Sequence, residues 1–183
     1  MPVNAPNDNL NLKASNFNLI SVDDNFYSLD QLRGLKGTVV AFLSNHCPYV
    51  IKIAQRLSFE AEELKKIDVS TIGIMSNNVE VYPEDSFENM KKFSIKNNFN
   101  FQYLYDKDQS VAKKYNAVCT PDFYGFNKDL ELKYRGRIDS TVMSDKDDIK
   151  IERDLFYAMK SISLNNRAPK KQINSFGCSI KWF

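Results

Sequence analysis

Ser44, His46, Cys47 and Pro48 fall within five positions of the segment TVVAFLSNHCPYV, residues 38–50, directly after an apolar run. The chain's one histidine and one of its three cysteines thus share a turn with a proline. The chemistry open to such a turn is that of a thiolate nucleophile. Pro48 suits the first position of a helix, where its missing N–H costs nothing, so Cys47 is expected at or beside the helix N-cap. There, unpaired backbone N–H groups and the positive end of the helix dipole favour thiolate over thiol, and can bring a cysteine from about 8.5 to roughly 3.5–7.5. Ser44, three residues earlier, reaches across one turn to donate to the sulfur or to accept from a backbone N–H. It carries no sulfur, so Cys47 has no partner thiol in its own loop. His46 adds positive charge beside the sulfur or, if it points away, shapes the loop. The alternative for Cys47 is the inert role of a small buried hydrophobe. A soft metal such as Cu(I) on His46, Cys47 and a second cysteine is the other alternative, but no spaced ligand set accompanies them, and neither a metal nor a cofactor is expected.

The elements that position this turn are readable from periodicity. FNLI (17–20), TVVAFL (38–43), VSTIGIM (69–75), FQYLY (101–105), FYGF (123–126) and LKYRG (132–136) read as short strands. Val50, Ile53, Ala54, Leu57, Ala61 and Leu64 follow a 3.6-residue period and predict a helix over 48–66. Further helices are expected over 86–97, entered through Pro83, Glu84, Asp85 and Ser86, after Asp108 to about Tyr115, and over 147–163 with Ile151, Leu155, Ala158, Met159 and Ile162 on one side. Strands alternating with helices imply parallel crossovers, whereas FYGFNKDLELKYRG implies an antiparallel hairpin at one end of the sheet. The expected architecture is a mixed α/β sheet covered by helices, in one domain spanning 1–183. Its tail, 164–183, folds back through Phe176, Ile180, Trp182 and Phe183. Cys47 then lies at the C-terminal end of a central strand, where sites of open α/β sheets collect.

A hydrophobic fraction of 43% indicates a globular chain, and 25 basic against 23 acidic residues give a net charge of +2 with no basic track for phosphates. Nucleic acid is not expected as a partner. The polar start MPVNAPNDNLNLKASN lacks the apolar segment of a secretory signal, and VVAFL is too short to span a bilayer. No membrane partner is expected, and a cytoplasmic protein is. Three cysteines in a reducing compartment argue against a disulfide framework. Nothing in the sequence specifies an oligomer.

The segment VVAFLSNHCPYVIKIA resembles the active-site region of the thioredoxin-like superfamily, in particular a peroxiredoxin-like branch of the alkyl hydroperoxide reductase and thiol-specific antioxidant (redoxin) group, whose members commonly carry Cys-Asn-His-Cys-Pro here. SNNVEVYPEDSFENM (76–90), YLYDKDQSVAKKYNAVCTPDFYGF (103–126), YRGRID (134–139) and FGCSIKW (176–182) extend the resemblance over nearly the whole chain. It implies a thioredoxin-like fold, Cys47 as the reactive cysteine, and Pro121 as a cis-proline facing it with Thr120 in contact. A proline directly before strand FYGF fits a cis turn independently of the resemblance. The chain departs from the pattern at Ser44, which replaces the first cysteine of Cys-x-x-Cys and excludes dithiol exchange within the loop. Ser-x-x-Cys matches half of a peroxiredoxin signature, but Val40 stands where that signature has proline.

The remaining sulfurs able to resolve an oxidised Cys47 are Cys178, in the tail, and Cys119, which strand alternation could turn away. Arg135 and Arg137 could stabilise a thiolate or a bound anion, or stand as solvated surface residues, and Tyr82, Pro83 and Glu84 could line the approach. The expected function is thiol-based oxidoreduction on a peroxide or disulfide, with a thioredoxin- or glutathione-like reductant. The rival is a binding module that keeps the fold without turnover.

Overall fold

The computed structural model describes residues 1–5, 12–141 and 151–183. In chain order the elements are β1 (Pro2–Asn4), β2 (Asn18–Ser21), β3 (Phe26–Ser28), α1 (Leu29–Leu32), β4 (Gly37–Leu43), α2 (Pro48–Lys65), β5 (Val69–Met75), a 3₁₀ turn (Pro83–Asp85) and α3 (Phe87–Lys96). They continue with β6 (Gln102–Tyr105), α4 (Ser110–Lys114), β7 (Cys119–Thr120), β8 (Asp122–Asn127), β9 (Leu132–Gly136), α5 (Asp154–Asn165) and β10 (Phe176–Ser179).

Seven strands form the main sheet in the order β3-β2-β6-β5-β4-β8-β9. The centre, β4-β5-β6, is parallel, while β8 and β9 continue it antiparallel on one side and β2 and β3 on the other. β4 is buried along its whole length because it is covered on both faces, which is why it reads as an unbroken apolar run. Its odd residues Val39, Ala41 and Leu43 join the core that includes Val50, Ile53 and Leu57 of α2, Met90 of α3 and Leu155, Met159 and Ile162 of α5. Val40 and Phe42 face the opposite core, with Leu29 of α1 and Val111, Ala112 and Tyr115 around α4. This mixed sheet between helical layers is the architecture expected from the alternation of strands and helices and fits the fold that the resemblance implies, and β4, β5 and β6 bring their C-terminal ends to one edge.

A smaller sheet lies at that edge. β10 is its middle strand, antiparallel to β1 and to β7, with Cys178 opposite both Pro2 and Thr120. The tail therefore docks as a strand, and Ile180 is buried as expected. Trp182 and Phe183 do not serve as apolar anchors: they are 42% and 62% exposed. The end is instead held by polar contacts, since Lys181 N donates to Asn77 Oδ1, Asn78 N and Gln109 Nε2 donate to Lys181 O, and Phe183 N donates to Gln109 Oε1.

The last helix also differs from its expected span. It begins at Asp154 rather than 147; residues 147–150 lie outside the described residues, and Ile151 is exposed and precedes the helix. The backbone before it is engaged elsewhere, with Ser140 N donating to Glu152 O and Leu155 N to Ile138 O. Among the described residues, no helix is long and apolar enough to cross a membrane.

Candidate active site

Cys47 occupies the N-cap of α2, with Pro48 exposed in the first turn, and its carbonyl accepts the first helical bonds from Val50 N and Ile51 N. Its side chain does not cap the helix. The sulfur turns toward the cis Thr120-Pro121 peptide, donating to Thr120 O at 3.1 Å, and the residue is fully buried. Cys47 thus begins a helix as the sequence suggests, but it is not open to solvent, because β10 and the Thr120-Pro121 turn close over it.

Cys178 completes the cover. It stands opposite Thr120 in the β10–β7 register, is partly exposed, and packs against the core cluster that contains Cys47. Burial, with the nearby Cys47 sulfur adding to it, pushes the Cys178 thiol up to about 11. Cys119 is one residue off in the same ladder, opposite Ser179, so alternation sends its side chain to the other face. Its sulfur lies 4.0 Å from Pro121 O, fully buried, and that burial raises its thiol far above the ordinary range.

The loop that carries Cys47 is built around a carboxylate. Asp85, fully buried at the end of the 3₁₀ turn, accepts from Ser44 Oγ (3.0 Å), Asn45 N (2.6 Å), His46 N (3.3 Å) and Asn77 Nδ2 (2.7 Å), and pairs with His46 Nδ1 at 2.8 Å. Burial alone would push this carboxyl up. The bonds from His46 and Asn77, the imidazolium charge and the Asn45 amide hold it below its ordinary value. In return, the hydrogen bond to Asp85 raises His46 against the opposing effect of burial. The imidazole stacks on Tyr82, with ring centroids 5.3 Å apart and planes 7° apart. Asn45 is fixed from both ends, its Nδ2 on Glu84 O and its Oδ1 accepting from Tyr103 Oη.

Expectations for three residues change. Ser44 does not reach Cys47: its hydroxyl is taken by Asp85, with His46 Nδ1 at 3.3 Å, so it ties the loop down instead of holding the sulfur. Arg135 is neither at the surface nor on the thiol. It is buried, pairs with buried Asp122 at 3.0 Å, donates to Asn116 O and stacks over the Tyr124 ring. Arg137 is likewise occupied, by Asp154 and Glu152. Pro83 and Glu84 belong to the turn that delivers Asp85. Asp85 and Asn77 are the residues sequence reasoning missed; the acid reads locally as a helix start, yet Ser86, not Asp85, is the N-cap of α3. A cavity of 920 Å³ lined by Phe17, Leu19, Tyr105, Val111 and Phe183 lies apart from Cys47. Among the described residues no group of three His, Cys, Asp or Glu side chains is arranged to hold a metal ion.

A model of the AhpC/TSA family matches residues 10–147, which include Ser44, Cys47, Asp85 and Pro121. The chain belongs to the AhpC/TSA family. The match stops short of β10, but the likeness to two solved structures runs end to end. An uncharacterized conserved protein from Geobacillus kaustophilus is 39% identical, with a TM-score of 0.93, covering 100% of this chain and 97% of that one. A hypothetical protein from Sinorhizobium meliloti is 29% identical, with a TM-score of 0.92 and 98% of each chain covered. A secreted disulfide oxidoreductase from Mycobacterium tuberculosis shares the fold at 21% identity and a TM-score of 0.60, over 79% of this chain and 95% of that one. No match was found among curated proteins. The fold of this AhpC/TSA chain is thioredoxin-like.

Proposed function

We propose that the protein is a two-cysteine thiol peroxidase in which Cys47 attacks a small hydroperoxide and Cys178 resolves the product. The observation that carries this reading is the placement of Cys178 opposite Thr120 in the β10–β7 register and against the core that holds Cys47, whose sulfur, at the start of α2, turns to Thr120 O. In the first step the Cys47 thiolate bonds to one peroxide oxygen, the O–O bond breaks, and the other oxygen leaves as alkoxide or hydroxide, which takes a proton. Cys47 becomes a sulfenic acid. In the second, the Cys178 sulfur, having given up its proton, bonds to the Cys47 sulfur and expels water, leaving a disulfide. A thioredoxin- or glutathione-like thiol then returns both sulfurs to the reduced state by exchange.

Burial favours a small oxidant over a protein disulfide as the first substrate. A peroxide needs only a narrow opening beside Cys47, whereas a disulfide must align its S–S bond with a sulfur that Thr120 and β10 cover. The test is stoichiometric oxidation of the reduced protein with hydrogen peroxide, followed by peptide mass spectrometry. The expected product is a 47–178 disulfide in the wild type, a dimedone-trapped sulfenic acid at Cys47 in Cys178→Ala, and neither in Cys47→Ser. A wild type whose Cys47 stays reduced under these conditions would refute peroxidase chemistry and favour the binding module.

A further inference from the structure

The 920 Å³ cavity apart from Cys47 is lined by none of the three cysteines and lies at the β3 end of the main sheet. Three of its lining residues form one cross-strand row, since Phe26 on β3 stands opposite Ile20 on β2, and Ile20 opposite Tyr105 on β6. Phe17, Leu19 and Val111 add further apolar wall. β3 is the last strand of the sheet on this side, and Phe26 and Phe183, both in the lining, are left 61% and 62% exposed. A concave, largely apolar space of this volume with a few polar groups has the build of a small-molecule site.

The polar groups of the wall decide the ligand. Asn16 Oδ1 is spent on Phe17 N and Leu29 N, Ser28 on the capping box of α1 with Gln31, and Asp108 on Ser110 N, a bond that holds its carboxyl below the usual range. The amides of Val111 and Ala112 go to Asp106, so the start of α4 has no donor left there for an anion. That leaves Lys107 and Lys114, exposed lining residues with no carboxylate partner among the described residues. Side chains of this type lay their apolar stems along a wall and keep the ammonium at the rim. We propose that the cavity binds an anionic amphiphile of the fatty-acid type, with its chain along Phe26, Ile20 and Tyr105 and its carboxylate on Lys107 and Lys114. The chain covers aromatic rings now left in water, and the carboxylate supplies the counter-charge that the two lysines lack. The row crosses three strands, about 10 Å at the usual interstrand spacing, which suits a chain of about eight to ten carbons. The site is independent of the peroxidase reading, since no thiol lines it.

The test is calorimetric titration of the full chain with sodium decanoate and, separately, with decan-1-ol, which has the same chain and no charge, while amide chemical shifts locate the site. Decanoate is expected to saturate at one per chain and to shift the amides of Phe26, Ser110 and Phe183. The double substitution Lys107→Met and Lys114→Met keeps the apolar stems and removes the charges. It should weaken decanoate about fivefold, the worth of two exposed ion pairs, and leave decan-1-ol unchanged. Phe26→Ser should weaken both ligands about tenfold, through lost apolar contact. Both variants alter exposed side chains only, so the fold is retained. Absence of saturable binding, shifts clustered away from the cavity, or an unchanged affinity in Phe26→Ser would overturn the proposal. So would a lysine variant that weakens neither ligand or both alike, which removes the carboxylate from recognition. Binding to vesicles of anionic phospholipid without binding of free decanoate would overturn it in favour of a membrane surface.

Discussion

Gly177 is where the covering of Cys47 can be tested by one methyl group. A Cβ built at this position would lie 1.9 Å from Thr120 O, 2.6 Å from Thr120 C and 3.1 Å from Pro121 Cδ. Backbone, not a flexible side chain, stands in the way. Carbon and carbonyl oxygen approach to about 3.3 Å at the closest in ordinary strand contacts, so Gly177→Ala requires β10 to retreat by about 1.4 Å or more. That displacement acts on the ladder that holds Cys178 opposite Thr120 and on the bond from Ile180 N to Val118 O. Overpacking of this kind costs about 1–3 kcal/mol. If about 2 kcal/mol of it falls on the docked strand, the population with β10 lifted rises roughly thirtyfold.

Alkylation of a fully buried thiol proceeds through such openings, so its rate follows their population. The assay is the rate of iodoacetamide labelling at Cys47, read peptide by peptide so that Cys178 and Cys119 do not interfere. Gly177→Ala should label Cys47 roughly thirtyfold faster than wild type and give less 47–178 disulfide after one equivalent of peroxide. Gly34→Ala is the control, since its Cβ would meet Gly37 O at 2.3 Å and Ser70 N at 2.5 Å, away from Cys47. A Gly177→Ala rate no greater than that of wild type, or of the Gly34→Ala control, would refute the argument that β10 governs access.

Asp85→Asn should lower stability to urea by about 3 kcal/mol, because it leaves the donors of the 44–46 loop around a site that no longer carries charge. The same pair predicts a pH profile of the unfolding midpoint. His46 is raised, so its contribution is full below the ordinary imidazole value and is lost as pH climbs through the folded value; Asp85 is lowered, so its contribution is full above the ordinary carboxylate value and is lost as pH falls through its folded value. Asp85→Asn should flatten both flanks of that plateau. Cys119→Ala should cost about 1–2 kcal/mol in thermal or urea unfolding and leave the 47–178 bridge forming at the wild-type yield, since its side chain lies on the opposite face of the ladder. Arg135→Met should cost about 3–5 kcal/mol by stranding Asp122 in the core, and Arg135→Met with Asp122→Leu should recover most of it. Alkylation of Cys47 in the folded double variant would stay at the wild-type rate if Arg135 serves the core alone.

What the sequence showed and hid follows from the reach of each interaction. β4 and α2 were legible because burial on two faces, or on one stripe, leaves a period within the element itself: Val39 through Leu43 in one case, Val50 through Leu64 in the other. Pro48 marked the helix start for the same local reason. Asp85 was hidden because its partners are remote, 41 positions away at Ser44 and 39 at His46, and no local pattern distinguishes it from an acid opening a helix. Arg135 misled because a cation near the end of a strand reads as surface, whereas its acid lies on the neighbouring strand, two residues from the position opposite it, where Tyr124 pairs with Arg135. Cys178 lay between these extremes: FGCSIKW announced a docked tail by its apolar content, but only the β10–β7 register sets position 178 against Thr120 and so beside Cys47. The same register explains why Cys178, and not Cys119, meets that sulfur. Two thiols one step apart in a ladder point to opposite faces, and only one face contains the start of α2.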